Sequence, residues 1–164
     1  MNQDNAPVFA ARAPGEPAPT PHRTRPEPGD TFTVDIPMRW GDMDALAHLN
    51  NAAYFRLMEE ARVQMMHRSG LAFPPGTGIV LAHVSCDFLR PMTYPAQVRV
   101  KHTVVRLGRS SAELTLDLSR ADDAQADTCA RARTDLVWMD LVKGASAPWP
   151  ADILKGLADQ LTPA

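Results

Sequence analysis

Arg39-Trp40-Gly41-Asp42-Met43-Asp44-Ala45-Leu46-Ala47-His48-Leu49-Asn50-Asn51 is the stretch around which the chain is organised. It joins a strand-like run to a long helix-like segment. It gathers two carboxylates, one imidazole and two carboxamides at the start of that helix. A helix N-terminus presents unpaired backbone N–H groups and a partial positive charge. A carboxylate beside such donors could attack, or direct water at, a polarised carbonyl.

Upstream, Thr31 to Arg39 alternates Phe32, Val34 and Ile36 with Thr33 and Asp35, the period of a half-buried strand. Pro37 near its end marks an edge or a bulge. Downstream, Asn50 or Asn51 suits the N-cap, because a short amide side chain can accept from a free backbone N–H. The helix is expected over Ala52 to Ser69, with Tyr54, Met58, Ala61 and Met65 stacked on one face and Phe55, Leu57 and Met66 widening it. Gly70 is placed to end it as the C′ residue.

After a loop at Phe73 to Gly78, the chain reads as strands: Ile79 to Leu89, Gln97 to Leu107, Glu113 to Ser119 and Asp127 to Leu141. Turns at Leu107-Gly108-Arg109-Ser110 and Ala121-Asp122-Asp123-Ala124 favour an antiparallel meander. Pro148 to Leu161 reads as a short amphipathic helix or tail. The class is therefore α+β. One long helix on one sheet leaves apolar sheet surface to be covered, which favours a dimer.

Composition bounds the rest. The 164 residues suffice for one domain with a real core, and residues 31–164 are read as that domain. Residues 1–30 hold seven of the 15 prolines and are read as a flexible tail, with too little apolar surface to offset the entropy of ordering. A formal charge of −2 without a basic run points to neither nucleic acid nor an anionic membrane. Cys86 and Cys129 form no CxxC pair, so no disulfide framework, metal site or cofactor is expected, and a reducing, cytoplasmic setting fits. There is no apolar run of membrane-spanning length and no secretory signal.

Trp40-Gly41-Asp42-Met43-Asp44, His48-Leu49-Asn50-Asn51, Tyr54 and Glu59-Glu60-Ala61-Arg62 resemble the hotdog-fold acyl-CoA thioesterases of the 4-hydroxybenzoyl-CoA thioesterase type. Asp87-Phe88-Leu89-Arg90-Pro91-Met92 and Gly108-Arg109-Ser110-Ser111 extend the likeness, which covers roughly residues 31–160. It implies a hotdog fold, a long central helix wrapped by an antiparallel sheet of about five strands. It also implies an acyl-CoA substrate and a homodimer or homotetramer. Many members carry Gly immediately before the His, where this chain has Ala47. A strained backbone angle there would suit glycine better than alanine.

The resemblance assigns Asp44 as the catalytic carboxylate, either attacking the thioester carbon or activating water. The backbone amide of Asn51 is the implied carbonyl donor. His48 could position water or the acyl group, or simply bond to backbone at the helix start. Asp42 reads better as a support for the loop than as a reagent. Tyr54 lines the acyl pocket or belongs to the core. Arg90, Arg109 and Arg56 are candidates for the phosphates of coenzyme A, and Ser110 and Ser111 could donate to substrate at a subunit interface. Two other readings stay open: an enoyl-thioester hydratase on the same fold, whose Asp-x-Asn-Pro-x-His motif is missing, and a non-catalytic acyl-CoA-binding hotdog protein. No Gly-x-Ser-x-Gly elbow points to an α/β-hydrolase.

Overall fold

A computed structural model describes residues 23–70, 72–123, 125 and 127–164. In chain order the elements are β1 (Thr31–Pro37), a 3-10 turn (Trp40–Asp42), α1 (Asn51–Arg68), β2 (Thr77–Phe88), β3 (Gln97–Leu107), β4 (Ser111–Arg120), β5 (Thr128–Asp140), β6 (Ala145–Ser146) and α2 (Ala151–Ala158). The sheet runs β1-β3-β4-β5-β2, with the short β6 added to β5, and every pairing is antiparallel. This is the long helix in a curved antiparallel sheet that the hotdog resemblance implies.

The curvature has a local cause. Register shifts interrupt β2 between Leu81 and His83, β3 between Val104 and Arg106, and β5 at Cys129, opposite Leu118 and Ser119 of β4. An extra residue at such a bulge bends a strand and increases its twist, so the sheet wraps around α1 instead of lying flat beneath it. Val98, Val100, Leu116, Leu118, Ala130 and Trp138 face inward and are almost wholly buried. Ala61 of the helix is 0% exposed; overpacking such a site typically costs about 1–3 kcal/mol.

Helix α1 buries Tyr54, Leu57, Met58, Ala61 and Met65, with Ala53 beside them. Phe55 departs from the expected stripe: it is exposed and meets Phe88 edge-on, 6.5 Å between ring centroids. Met66 is half-buried. The side chain of Asn50, not Asn51, caps the helix, accepting the Ala52 N–H at 2.8 Å. Gly70 follows the helix with φ +63°, as its C′ position requires.

The chain ends are tied to the sheet. Thr31 and Thr162 exchange backbone hydrogen bonds of 2.8 Å, and α2 packs Ile153, Leu157 and Ala158 inward. Asp30 is buried and accepts from the Arg23 guanidinium and the Glu27 N–H. Gly29 N–H and Val104 N–H continue the ladder through Val104 O and Asp30 O, both at 2.8 Å. Residues 23–30, read from the sequence as part of the tail, thus lie against β3. The remainder of the tail, residues 1–22, is outside the described residues, as is Ala124 of the second expected turn.

His102 is 2% exposed on the inner face of β3, beside Phe32. Burial holds its pKa down at about 4, the nearby Arg62 cation adds to the depression, and a hydrogen bond with the Phe32 backbone opposes it. The unfolded chain binds this proton near 6.5, so it takes up more protons than the folded chain between those values. The contribution is therefore complete above about pH 6.5 and disappears as the pH falls to about 4. Urea unfolding of wild type and His102→Leu at pH 7 and pH 4 should show wild type losing about 3 kcal/mol more than the variant over that window. Parallel pH profiles would assign the acid sensitivity to other groups.

Candidate functional site

The acidic loop is a closed unit. Arg39 N–H donates to Asp42 Oδ2 at 2.9 Å while Asp42 N–H donates to Arg39 O at 3.0 Å, which fastens the 3-10 turn. Asp42 Oδ1 accepts from Arg56 Nη2, and Asp42 O accepts the Asn50 N–H at 2.9 Å. A β-bridge joins Met43 to Leu49, and Leu49 N–H donates to Met92 O at 2.8 Å. Leu49 and Met92 are both buried, so the base of the loop is anchored in the core.

Asp44 lies inside this loop, half-buried. Its N–H donates to His48 O at 2.8 Å, and its own backbone oxygen accepts the Ala47 N–H at 3.0 Å. Its Oδ1 accepts the Leu46 N–H at 2.8 Å and the His48 N–H at 3.4 Å. Oδ2 has no hydrogen-bond partner among the described residues. One oxygen of the carboxylate therefore orients the group, and the other is left to act. The His48 imidazole is half-buried and also has no partner among the described residues.

Asn51 occupies the first position of α1. The Asn50 side chain takes the Ala52 N–H, and the Asn50 carbonyl takes the N–H groups of Ala53 and Tyr54. The Asn51 N–H has no partner among the described residues. An open concavity of about 450 Å³ lies against this first turn, bordered by Arg39, Asp42, Met43, Asn50, Ala53 and Arg56; Asp44, His48 and Asn51 are not among its lining residues. A smaller apolar cavity of about 40 Å³ lies toward the other half of α1, between Met65, Leu136 and Trp149, and no carboxylate lines it.

The remaining sequence-derived residues divide between the two ends of the sheet. Arg90 stands at the acidic-loop end, where its guanidinium pairs with Asp127. Arg109, Ser110 and Ser111 form the β3–β4 turn at the opposite end, roughly 33 Å along β3 from Gln97 at a typical strand rise. Within one chain they do not meet Asp44. Tyr54 is 2% exposed, edge-on to Phe88 at 5.2 Å, and burial raises its phenol pKa to about 12. It stands in the core between α1 and β2. Arg56 is committed to Asp42, a pairing across 14 positions that no sequence period could indicate.

Ala47 has φ +58°, the only positive φ at a non-glycine position among the described residues. The left-handed conformation costs an L-residue about 1–2 kcal/mol. It persists because Asp44 holds the turn from three sides. Ala47→Gly should therefore raise stability by up to about 1 kcal/mol, after the greater unfolded-state freedom of glycine is subtracted. A lowered thermal midpoint for this variant would contradict the strained loop.

Residues 38–157 match the model of the thioesterase-like superfamily. Among solved structures, the PA2801 protein of Pseudomonas aeruginosa, named as a candidate thioesterase, is similar at 36% identity. The match covers 74% of this chain and 94% of that one, with a TM-score of 0.70. A candidate acyl-CoA thioesterase from Xanthomonas campestris is similar at 33% identity, over 66% of this chain and 92% of that one, TM-score 0.60. Slr0204 of Synechocystis, a 1,4-dihydroxy-2-naphthoyl-CoA thioesterase, shares the fold at 22% identity, over 79% and 96% of the two chains, TM-score 0.70. Among curated proteins, none matches. The chain belongs to the thioesterase-like superfamily and is a thioester hydrolase of the hotdog fold.

Proposed function

We propose that the protein hydrolyses an acyl-CoA thioester to the free acid and coenzyme A. The observation that carries this reading is a half-committed carboxylate on Asp44 in the same loop-to-helix junction whose helix opens, at Asn51, with an amide that has no partner among the described residues. The thioester carbonyl oxygen accepts the Asn51 N–H, whose alignment with the helix dipole stabilises developing negative charge. Asp44 Oδ2 then attacks the carbonyl carbon, or takes a proton from water that does so. The C–S bond breaks and the thiolate leaves. In the first route water then cleaves the Asp44 acyl-anhydride to release the acid and restore the carboxylate, and in either route the proton given up by water goes to the thiolate of coenzyme A. His48 stands beside the carboxylate as a second polar group for water or substrate.

The active unit is a homodimer on this reading. The outer edge of β2 is unpaired and exposes Val80, Leu81 and Phe88, and a 12-residue apolar edge strand invites pairing with a second copy. Antiparallel β2–β2 pairing reverses one copy against the other. It would carry the partner's Arg109, Ser110 and Ser111 toward this chain's acidic loop, which supports their role in binding the carrier. The free thiols of Cys86 and Cys129 fit a reducing cytoplasm. No helix among the described residues is long and apolar enough to cross a membrane.

Thiol release from a panel of aliphatic and aromatic acyl-CoAs tests the reaction and identifies the acyl group. Asp44→Ala should lower turnover by about 10²–10⁴-fold. Asn51→Pro removes the amide hydrogen at a helix position where proline fits, and the extended Asn50 before it (φ −61°, ψ 138°) tolerates the ring. That variant should fold normally and lose about 10²–10³-fold in turnover. Full activity in either variant would move the chemistry elsewhere, and enoyl-CoA hydration without thiol release would favour a hydratase. Light scattering should report a dimer, with Leu81→Asp shifted toward monomer.

A further inference from the structure

We infer that Arg56 is a positioning residue that holds the acidic loop in register with the first turn of α1. The inference rests on the proposed roles of Asp44 and Asn51. It starts from a group that neither of those roles uses, the buried carboxylate of Asp42.

Asp42 is 8% exposed, and besides its own N–H bond to Arg39 O three connections leave it. Oδ2 takes the Arg39 N–H, the backbone oxygen takes the Asn50 N–H, and Oδ1 takes Arg56 Nη2. Arg56 lies one turn inside the helix that Asn50 caps. The guanidinium therefore reaches back to the helix start and holds the side chain of the residue whose backbone oxygen the Asn50 amide holds. Asp44 is two residues beyond Asp42, and Asn51 is one residue beyond Asn50. Both reacting groups are thus within two residues of an atom in this tie.

The chemistry of the pair adds a second reason. A carboxylate at this burial needs a charged or multiply donating partner, and removing one partner of such a pair leaves an uncompensated charge. Without Arg56 the loop has an incentive to swing Asp42 toward water. Asp44 would move with it, away from the Asn51 amide, and a displacement of about 1 Å can cost on the order of 10²-fold in rate. The same pairing engages one nitrogen of the Arg56 guanidinium from within the chain.

The test compares Arg56→Met, Asp42→Asn and the double variant by steady-state thiol release, with amide hydrogen exchange at Asn50 measured alongside. Arg56→Met should lose roughly 10- to 100-fold in kcat, with KM within about twofold and the fold retained. The double variant should lose no more than the worse single, because both changes cut one tie. Should Arg56→Met fail to fold, Arg56→Gln, which also removes the charge facing Asp42, carries the same comparison. Unchanged kcat, a KM effect alone, or losses that multiply in the double variant would each overturn the inference. If the wild type releases no thiol from any substrate, the proposed function fails and exchange decides the present question. Faster exchange of the Asn50 N–H in Arg56→Met supports the tie, and equal exchange overturns it.

Discussion

A carboxylate removed from water must be matched atom by atom, and Asp42 imposes that constraint on everything around the site. Its oxygens are met by one backbone amide and one guanidinium, and its own carbonyl is met by the helix-capping residue. Those partners come from the 3-10 turn, the N-cap and the second turn of α1. Satisfying one buried charge therefore aligns three segments that are separate in sequence. The loop between them has little freedom left, and its remaining strain is concentrated at Ala47. A left-handed alanine is what a loop shows when its ends are set elsewhere and the residue between them must comply.

The two carboxylates of this loop differ for the same reason. Asp42 has both oxygens engaged and is buried; Asp44 has one oxygen engaged and is half-buried. A fully matched carboxylate is a strut, since any reaction would first have to break its hydrogen bonds. A half-matched one is oriented and still has a lone pair to use. The division of labour in the proposed function, between residues two positions apart, rests on this difference in which oxygens are engaged.

Much of the fold was legible because its periods are clean. Gln97 to Leu107 alternates through Val98, Val100 and Val104, and β3 has those bounds, with its bulge at the Val104-Val105 doublet. The helix was legible from its stripe, its Asn cap and Gly70, although Phe55 left the stripe because β2 supplies Phe88 on the helix flank. Such a neighbour has no trace in local periodicity. The boundary at Asp30 misleads for a similar reason: proline density suggests a loose tail, yet Arg23 and Asp30 find each other and Gly29 joins the ladder of β3. At the site, the residue types and the glycine-to-alanine departure were legible. The partner of Arg56 was not, because a guanidinium on a polar helix face looks the same whether it meets solvent, phosphate or an aspartate 14 residues earlier.

The sheet has two edges, and they are handled differently. Edge β1 is seven residues long, ends in Pro37, and is tied at its start to the C-terminal Thr162, so little of it is open to pairing. Edge β2 is 12 residues long, has no proline, and carries Val80, Leu81 and Phe88 exposed. The Arg99–Asp35, Arg131–Asp117 and Arg133–Glu113 pairs lie across β1, β3, β4 and β5 instead. Charge that could have protected β2 from association is spent on the outer face of the sheet, and the long apolar edge is left bare. On the proposed homodimer, pairing two β2 strands would consume the one long free edge among the described residues of each chain, and so would favour a closed pair over an extended assembly.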